Sequence, residues 1–245
     1  MVMEEKKETK SAELKFDDFL LLDRRLLPLL GDYEKSGDHL RLLSVMTHSA
    51  TTTGPKHQIV YPTSQKQAFL FLKNHKDDPF DVTFILGLHK ALTNGRGGTW
   101  KSRNTYFERD DGSFYITTSA EKTPEVMREL CAKYAFLNTP KAADFDEIFK
   151  FVLHFICVHP FLDGNGRMSA LLMEALLYKA GLCAAIYLPI DPLMNGLYEK
   201  RTCLEIRKAS GSFYGMKELS FDSYLPYVKE IAHKSYLYLI ESLEQ

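Results

Sequence analysis

Residues 159–170 read HPFLDGNGRMSA, with a histidine, an aspartate and an arginine crowded around Gly-Asn-Gly between two strongly apolar stretches. A chain reversal needs one or two glycines, but it has no structural use for the ionisable side chains beside them. A ligand would explain them. On the N-terminal side Ile148, Phe149, Val152, Phe155 and Ile156 recur at one-face helical spacing, after an Asp144/Glu147 pair placed as in a capping box. On the C-terminal side Met168, Leu171, Leu172, Ala175 and Leu176 form a second stripe that stops at Gly181, a natural C-terminal cap. The pattern predicts two core helices joined by a charged turn, and hence a mainly helical fold.

The turn has a chemistry of its own. Gly164, Asn165 and Gly166 stand just before the second helix, so their backbone N–H groups and the positive end of the helix dipole converge on one small volume that favours an anion. Arg167 adds a planar fork suited to phosphate oxygens, whereas Asp163 repels phosphate unless a divalent cation such as Mg2+ lies between them. His159 stands at the lip with an imidazole whose ordinary pKa, about 6.5, lets it take a proton from a hydroxyl near neutrality. Together these groups fit phosphoryl or nucleotidyl transfer. Each has a plainer alternative: Asx-turns for Asp163 and Asn165, an ion pair with a helix carboxylate for Arg167, and simple helix-end capping for a histidine. The capping role is the one expected of His89 and His154, which lack acidic or glycine neighbours.

Composition narrows the classes. The chain has 245 residues, 45% of them hydrophobic, enough for a substantial core. Its formal net charge of -1 provides no general attraction to nucleic acid or to an anionic membrane. Cys131, Cys157, Cys183 and Cys203 are widely spaced, which argues against zinc and against a disulfide framework and reads as buried free thiols. The charged opening MVMEEKKETKSAELK is neither a signal peptide nor an anchor, so a cytoplasmic location is expected.

Residues 1–15 read as a flexible lead and 16–245 as one helical domain. Pro79 is expected to open a helix over FDVTFILGLHKAL, and Thr123 to cap another over PEVMRELCAKYAFL. Tyr224, Val228, Ile231 and Tyr238 mark a final packing helix. The helical pattern breaks between Trp100 and Pro124. There NTYF and SFYIT flank a reversal at Asp111-Gly112, predicting a short β-hairpin with an exposed edge.

HPFLDGNGR matches the Fic-domain motif H-P-F-x-[D/E]-G-N-G-R-x-x-R through its first arginine. FILGLHKALTNG resembles the family helix before the active-site flap, GGTWKSRNTYF its approach G-x-Y-R-x-x-N-V, and YITT with TPEVMREL its exit. The resemblance covers roughly residues 40–230 and implies a Fic-fold helical bundle, its core about 80–215, with a β-hairpin flap beside the active site. Members mostly transfer AMP from ATP, with magnesium, to a hydroxyl side chain of a target protein. By position the resemblance implies His159 as base, Asp163 as metal ligand, Gly164, Asn165 and Gly166 as anion hole, and Arg167 as diphosphate contact. Tyr115, Ile116 and Thr117 resemble the flap, which in the family pairs with an extended target segment by strand addition.

The chain departs from the family at three places. The second motif arginine, a γ-phosphate contact in the family, is Ala170. One charge-assisted hydrogen bond is worth about 1.5–3 kcal/mol, so its loss weakens or reorients ATP by about one to two powers of ten. The self-inhibitory pattern [S/T]-x-x-x-E-[G/N] is matched only by Ser49 to Gly54, with Thr53 in place of glutamate; local helical sequence with a Gly54-Pro55 stop is the plainer reading. Both partners of the family's inhibitory ion pair are then missing, which is coherent because either charge alone is costly to bury. Thr202 and Cys203 stand where many relatives place a tyrosine pair near the adenine. The alternatives are transfer of UMP or phosphocholine, or a weakly active scaffold that binds nucleotide or protein. The kinase-like version of the motif is disfavoured because Gly166 is retained, and removal of AMP because it relies on the missing glutamate. Nucleic-acid binding finds no basic cluster to support it.

Overall fold

The computed structural model describes residues 13–36, 61–108, 112–188 and 220–245. Within them the elements are helices α1 (Phe16–Ser36), α2 (Tyr61–His75) and α3 (Val82–Leu92), strands β1 (Tyr106–Glu108) and β2 (Phe114–Ile116), then helices α4 (Thr123–Lys133), α5 (Phe145–Val158), α6 (Asn165–Lys179) and α7 (Leu225–Leu243). The lead before residue 13, the Ser49–Gly54 segment and Thr202–Cys203 lie outside the described residues.

Helix α5 is the centre of the packing. Its expected apolar stripe is there, but Phe151, Leu153 and Cys157 on the remaining surface are buried as well. A helix that is apolar nearly all round must be enclosed, and α4, α6 and α7 pack against it. Helix α2 packs on α3, and α1 on α7. Buried Asp23 of α1 accepts hydrogen bonds from the Cys183 and Ala184 N–H groups at 3.0 and 2.8 Å and from the Tyr236 hydroxyl at 2.9 Å. A buried carboxylate is tolerated only when its lone pairs are satisfied in this way, so Asp23 joins α1, the exit of α6 and α7. Helix α6 ends as its glycine predicts. The N–H of Gly181 reaches Tyr178 O at 2.9 Å and that of Leu182 reaches Leu177 O at 3.1 Å, a Schellman closure.

Several helix boundaries differ from the sequence expectation. Helix α3 begins not at Pro79 but after Asp81, whose carboxylate accepts from the Phe84 N–H at 2.9 Å and so caps the helix. Asp144 does not cap α5; its carboxylate accepts from the Lys141 N–H at 2.8 Å and closes the preceding 3₁₀ turn. Thr123 is the first residue of α4 rather than its cap, since its hydroxyl donates back to Ser119 O at 2.7 Å. That helix stops at Lys133 and passes into a 3₁₀ turn over Ala135–Asn138. In α7, Val228 and Ile231 are buried as expected, but Tyr236, not the half-buried Tyr238, completes the stripe. Cys131 and Cys157 are buried thiols, whereas Cys183 is exposed and Cys203 lies outside the described residues. Among the described residues no helix is long and apolar enough to cross a membrane.

His154 is a packing residue. It lies between Phe221, edge to face at 4.5 Å, and Tyr134, whose hydroxyl is 3.0 Å from Nδ1. Burial, and then the Lys133 charge, push the imidazole down to about 4. The unfolded chain takes up this proton near the ordinary value of about 6.5 and the native chain only near 4, so stability is lost as pH falls through that window. In urea titrations, the stability advantage of the wild type over His154→Gln is expected to shrink by about 2 kcal/mol between neutral pH and about pH 4.5. An unchanged difference overturns this account of His154.

Candidate functional site

Helix α5 ends at Val158, and His159 follows in the left-handed region at φ 53° and ψ 61°, its N–H bonded to Phe155 O at 3.1 Å. A non-glycine residue there costs about 1–2 kcal/mol, so the surroundings must hold it. Phe161 helps to do so. It is fully buried and stacks on His89 with ring centroids 3.6 Å apart, with Trp100 stacked on it at 5.4 Å. The turn is closed from the other side by Asn165. Its side chain is buried, accepting from the Phe161 N–H at 3.0 Å and donating to Phe161 O at 2.8 Å. The amide thus staples the loop across four residues, and only the backbone of Asn165 is left to face a ligand.

Gly164 has φ 84°, the conformation that allows the chain to turn into α6 without a Cβ penalty. Asp163 holds a side chain 84% exposed; one oxygen accepts from the Gly164 N–H at 2.7 Å, and the other lies 3.1 Å from Nη2 of Arg167. Of the plainer readings, only an ion pair is present, and it joins Arg167 to Asp163 of the turn and not to a helix carboxylate; Asp163 bonds the N–H of the very next residue and Asn165 bonds back to Phe161, so neither forms an Asx-turn. These contacts do not exhaust the site, because a Cβ placed on Gly166 would meet nothing within 4 Å. Space opens beside Gly166 in the first turn of α6, and the leading N–H groups of that turn have no acceptor within the helix. Asp163 and Arg167 also line a cleft of about 570 Å³, with His89, Trp100 and Arg96 on its other wall.

Those residues fit the hydrated magnesium ion and polyphosphate that the motif implies. Magnesium keeps several waters and takes one or two carboxylates plus phosphate oxygens, and Asp163 provides one exposed carboxylate. Among the described residues no group of three His, Cys, Asp or Glu side chains could enclose a metal with protein ligands alone. Ala170 is fully buried, and its side chain has no polar atom to offer.

Strands β1 and β2 pair antiparallel, with Tyr106 opposite Ile116 and Glu108 opposite Phe114. Residues 109–111 of the expected reversal lie outside the described residues. The three residues Tyr115, Ile116 and Thr117 do not share a face. Tyr115 is buried and donates its hydroxyl to Cys157 O at 3.0 Å, and Thr117 is buried against Thr105, whereas Ile116 faces out. Period-two alternation requires such a split, and the outward apolar face is instead made by Ile116 with Tyr106 and Phe114.

Two residues that build the site were missed from the sequence. The sequence suggests a helix-end role for His89, but it connects two loops. Its Nδ1 accepts from the Gly98 N–H at 3.0 Å, so Nε2 carries the proton and donates to Asp163 O at 3.1 Å. Burial lowers its pKa and keeps it in this neutral form. The adjoining Gly97 cannot bear a side chain, since a Cβ would lie 2.5 Å from Thr93 Oγ1 and 2.6 Å from the His89 ring. No local signal marks His89, because its partners are 9 and 74 residues away. The second residue, Lys101, is buried beside the motif loop. The signal for it is the basic residue directly after the aromatic of GGTWKSRN.

The sequence of residues 79–177 matches the Fic/DOC family profile. The fold is similar to that of a Fic-domain-containing signalling protein from Bacteroides thetaiotaomicron VPI-5482, with a TM-score of 0.66 at 18% identity over 93% of this chain and 97% of that one. It is also similar to a Fic family protein from Desulfovibrio desulfuricans G20, with a TM-score of 0.52 at 17% identity over 93% of this chain and 73% of that one. No curated relative matches the sequence.

Proposed function

We propose, from the premise that this chain carries a Fic/DOC family domain over residues 79–177, that it transfers AMP from ATP to a hydroxyl side chain of a target protein. Members of the family are typically transferases that use Mg2+ and a nucleotide. The observation that carries the reading is local. An exposed carboxylate, its paired guanidinium and a left-handed histidine occupy one turn, in front of a helix N-terminus with open space at Gly166.

In this reading the target hydroxyl oxygen attacks the α-phosphorus, the bond to the β-phosphate oxygen breaks, and pyrophosphate leaves. His159 accepts the hydroxyl proton. The first-turn amides of α6 and Arg167 stabilise the charge that develops on the phosphate oxygens. Asp163 would hold magnesium, which when bound neutralises phosphate charge. The Asp163–Arg167 contact keeps both groups aimed at the cleft until phosphate and cation take their places. The outward face of Tyr106, Phe114 and Ile116, beside a strand edge, is suited to an extended target segment that adds as a further strand. Because the side chain of Ala170 has no donor for a terminal phosphate, ATP is not singled out as the donor, and transfer of UMP or phosphocholine is the alternative.

The test is incubation of the protein with Mg2+ and, separately, label-bearing ATP, UTP and CDP-choline, scoring label on the protein or on added lysate proteins. Transfer from ATP that stops with EDTA is expected. Transfer from UTP or CDP-choline alone would replace AMP by that group, and absence of transfer from every donor overturns the proposal.

A further inference from the structure

Lys101 holds three consecutive carbonyls around His159. Its backbone N–H donates to Pro160 O at 2.9 Å. Its Nζ donates to His159 O at 2.9 Å and, more weakly, to Val158 O at 3.4 Å. The remaining Nζ proton goes to Thr117 Oγ1 at 2.8 Å, just beyond the end of β2. All donors of a side chain only 3% exposed are therefore used.

This arrangement is more than a way to fill space. An ammonium is costly to bury, and burial pushes Lys101 down to about 8. The carbonyls at the C-terminus of α5 offset that, because they lie at the negative end of the helix dipole and have no partner within the helix. Fixing the peptide groups on both sides of the His159 Cα fixes its φ and ψ in a conformation that the chain would otherwise leave. Only the side-chain torsions then remain to place the imidazole. Through Thr117 the same ammonium ties that backbone to the strand pair.

We infer that Lys101 is the positioning residue of His159, holding its backbone left-handed and in register with β2 so that the imidazole meets an incoming hydroxyl. This rests on the transfer reading above. It implies that Lys101 acts on the chemical step and not on nucleotide binding.

The experiment compares Lys101→Met, which keeps the chain length but loses the donors, with Lys101→Arg, which keeps charge and donors. With Mg2+ and ATP, Lys101→Met is expected to lower kcat by about 10–100-fold with the KM for ATP within about twofold, and Lys101→Arg to recover most of the loss. A second readout needs no turnover. The 1H–13C NMR signal of the His159 imidazole is expected to shift in Lys101→Met and to return in Lys101→Arg. An unmoved signal in folded Lys101→Met, an unchanged kcat, or no recovery with arginine overturns the inference. If the wild type transfers nothing but the signal responds as described, the transfer reading fails and the positioning role stands. Should Lys101→Met fail to fold, Thr117→Val, which removes one Nζ acceptor, is judged by the same two readouts, with smaller changes in the same direction expected.

Discussion

Replacing His159 by alanine is expected to lower the rate of label transfer by about 10²–10⁴-fold, the contribution of a positioned general base. The substitution keeps a β-carbon in the left-handed region but removes the polar side chain above it, so some loss of stability accompanies it. His159→Asn separates the two effects. Asparagine adopts this conformation readily but cannot take a proton near neutrality, so it should fold like the wild type and still lose the same rate. ATP affinity, measured by calorimetry in the presence of Mg2+, should stay within about threefold in both variants, because the proposed phosphate contacts are those of Arg167 and the first turn of α6. Transfer that persists in His159→Asn means the proton goes elsewhere, and the assignment of His159 is then wrong.

Asn165→Ala is expected to remove about 2–4 kcal/mol of stability, read as a fall in the urea midpoint with an unchanged slope. The side chain satisfies both the N–H and the carbonyl of Phe161, a fully buried residue. Truncation strands both backbone groups, each at about 1–3 kcal/mol. Asn165→Asp is the sharper variant. It keeps an acceptor for the Phe161 N–H but sets a carboxylate oxygen against the Phe161 carbonyl, so it should be no better tolerated than alanine. Both should also lower transfer, since the Phe161 stack on His89 and Trp100 helps to fix the turn that bears His159 and Asp163. A midpoint equal to that of the wild type would mean that the staple contributes nothing and that Asn165 belongs to the site in some other way.

His159 and Asn165 differ in how far sequence alone reaches. The place of His159 in the charged turn was legible because its neighbours in the chain are its neighbours in space; a turn of Asp, Gly, Asn, Gly and Arg before an apolar helix is what the anion-site proposal starts from. Asn165 was legible as a member of that turn, but not as its staple. Whether a short polar side chain points to solvent or back into its own loop depends on what covers the loop, and here Phe161 and its aromatic partners do. The same holds in the strands. Alternation says that Tyr115 and Ile116 face opposite ways, but only the packing of Tyr115 against Cys157 O decides which of them is inside. The capping errors have a related origin. Asp81 and Pro79 are both credible helix starts, and the choice between Asp144 capping α5 or the turn before it is settled by which N–H comes within reach.

By itself the sequence determined the helical class and the charged turn between two core helices, because both depend on residues close together along the chain. The tertiary structure alone decided how the turn is held. His89 reaches Asp163 across 74 positions and Lys101 reaches His159 across 58, and contacts closed by folding over such distances leave no periodic or local trace in the residues between.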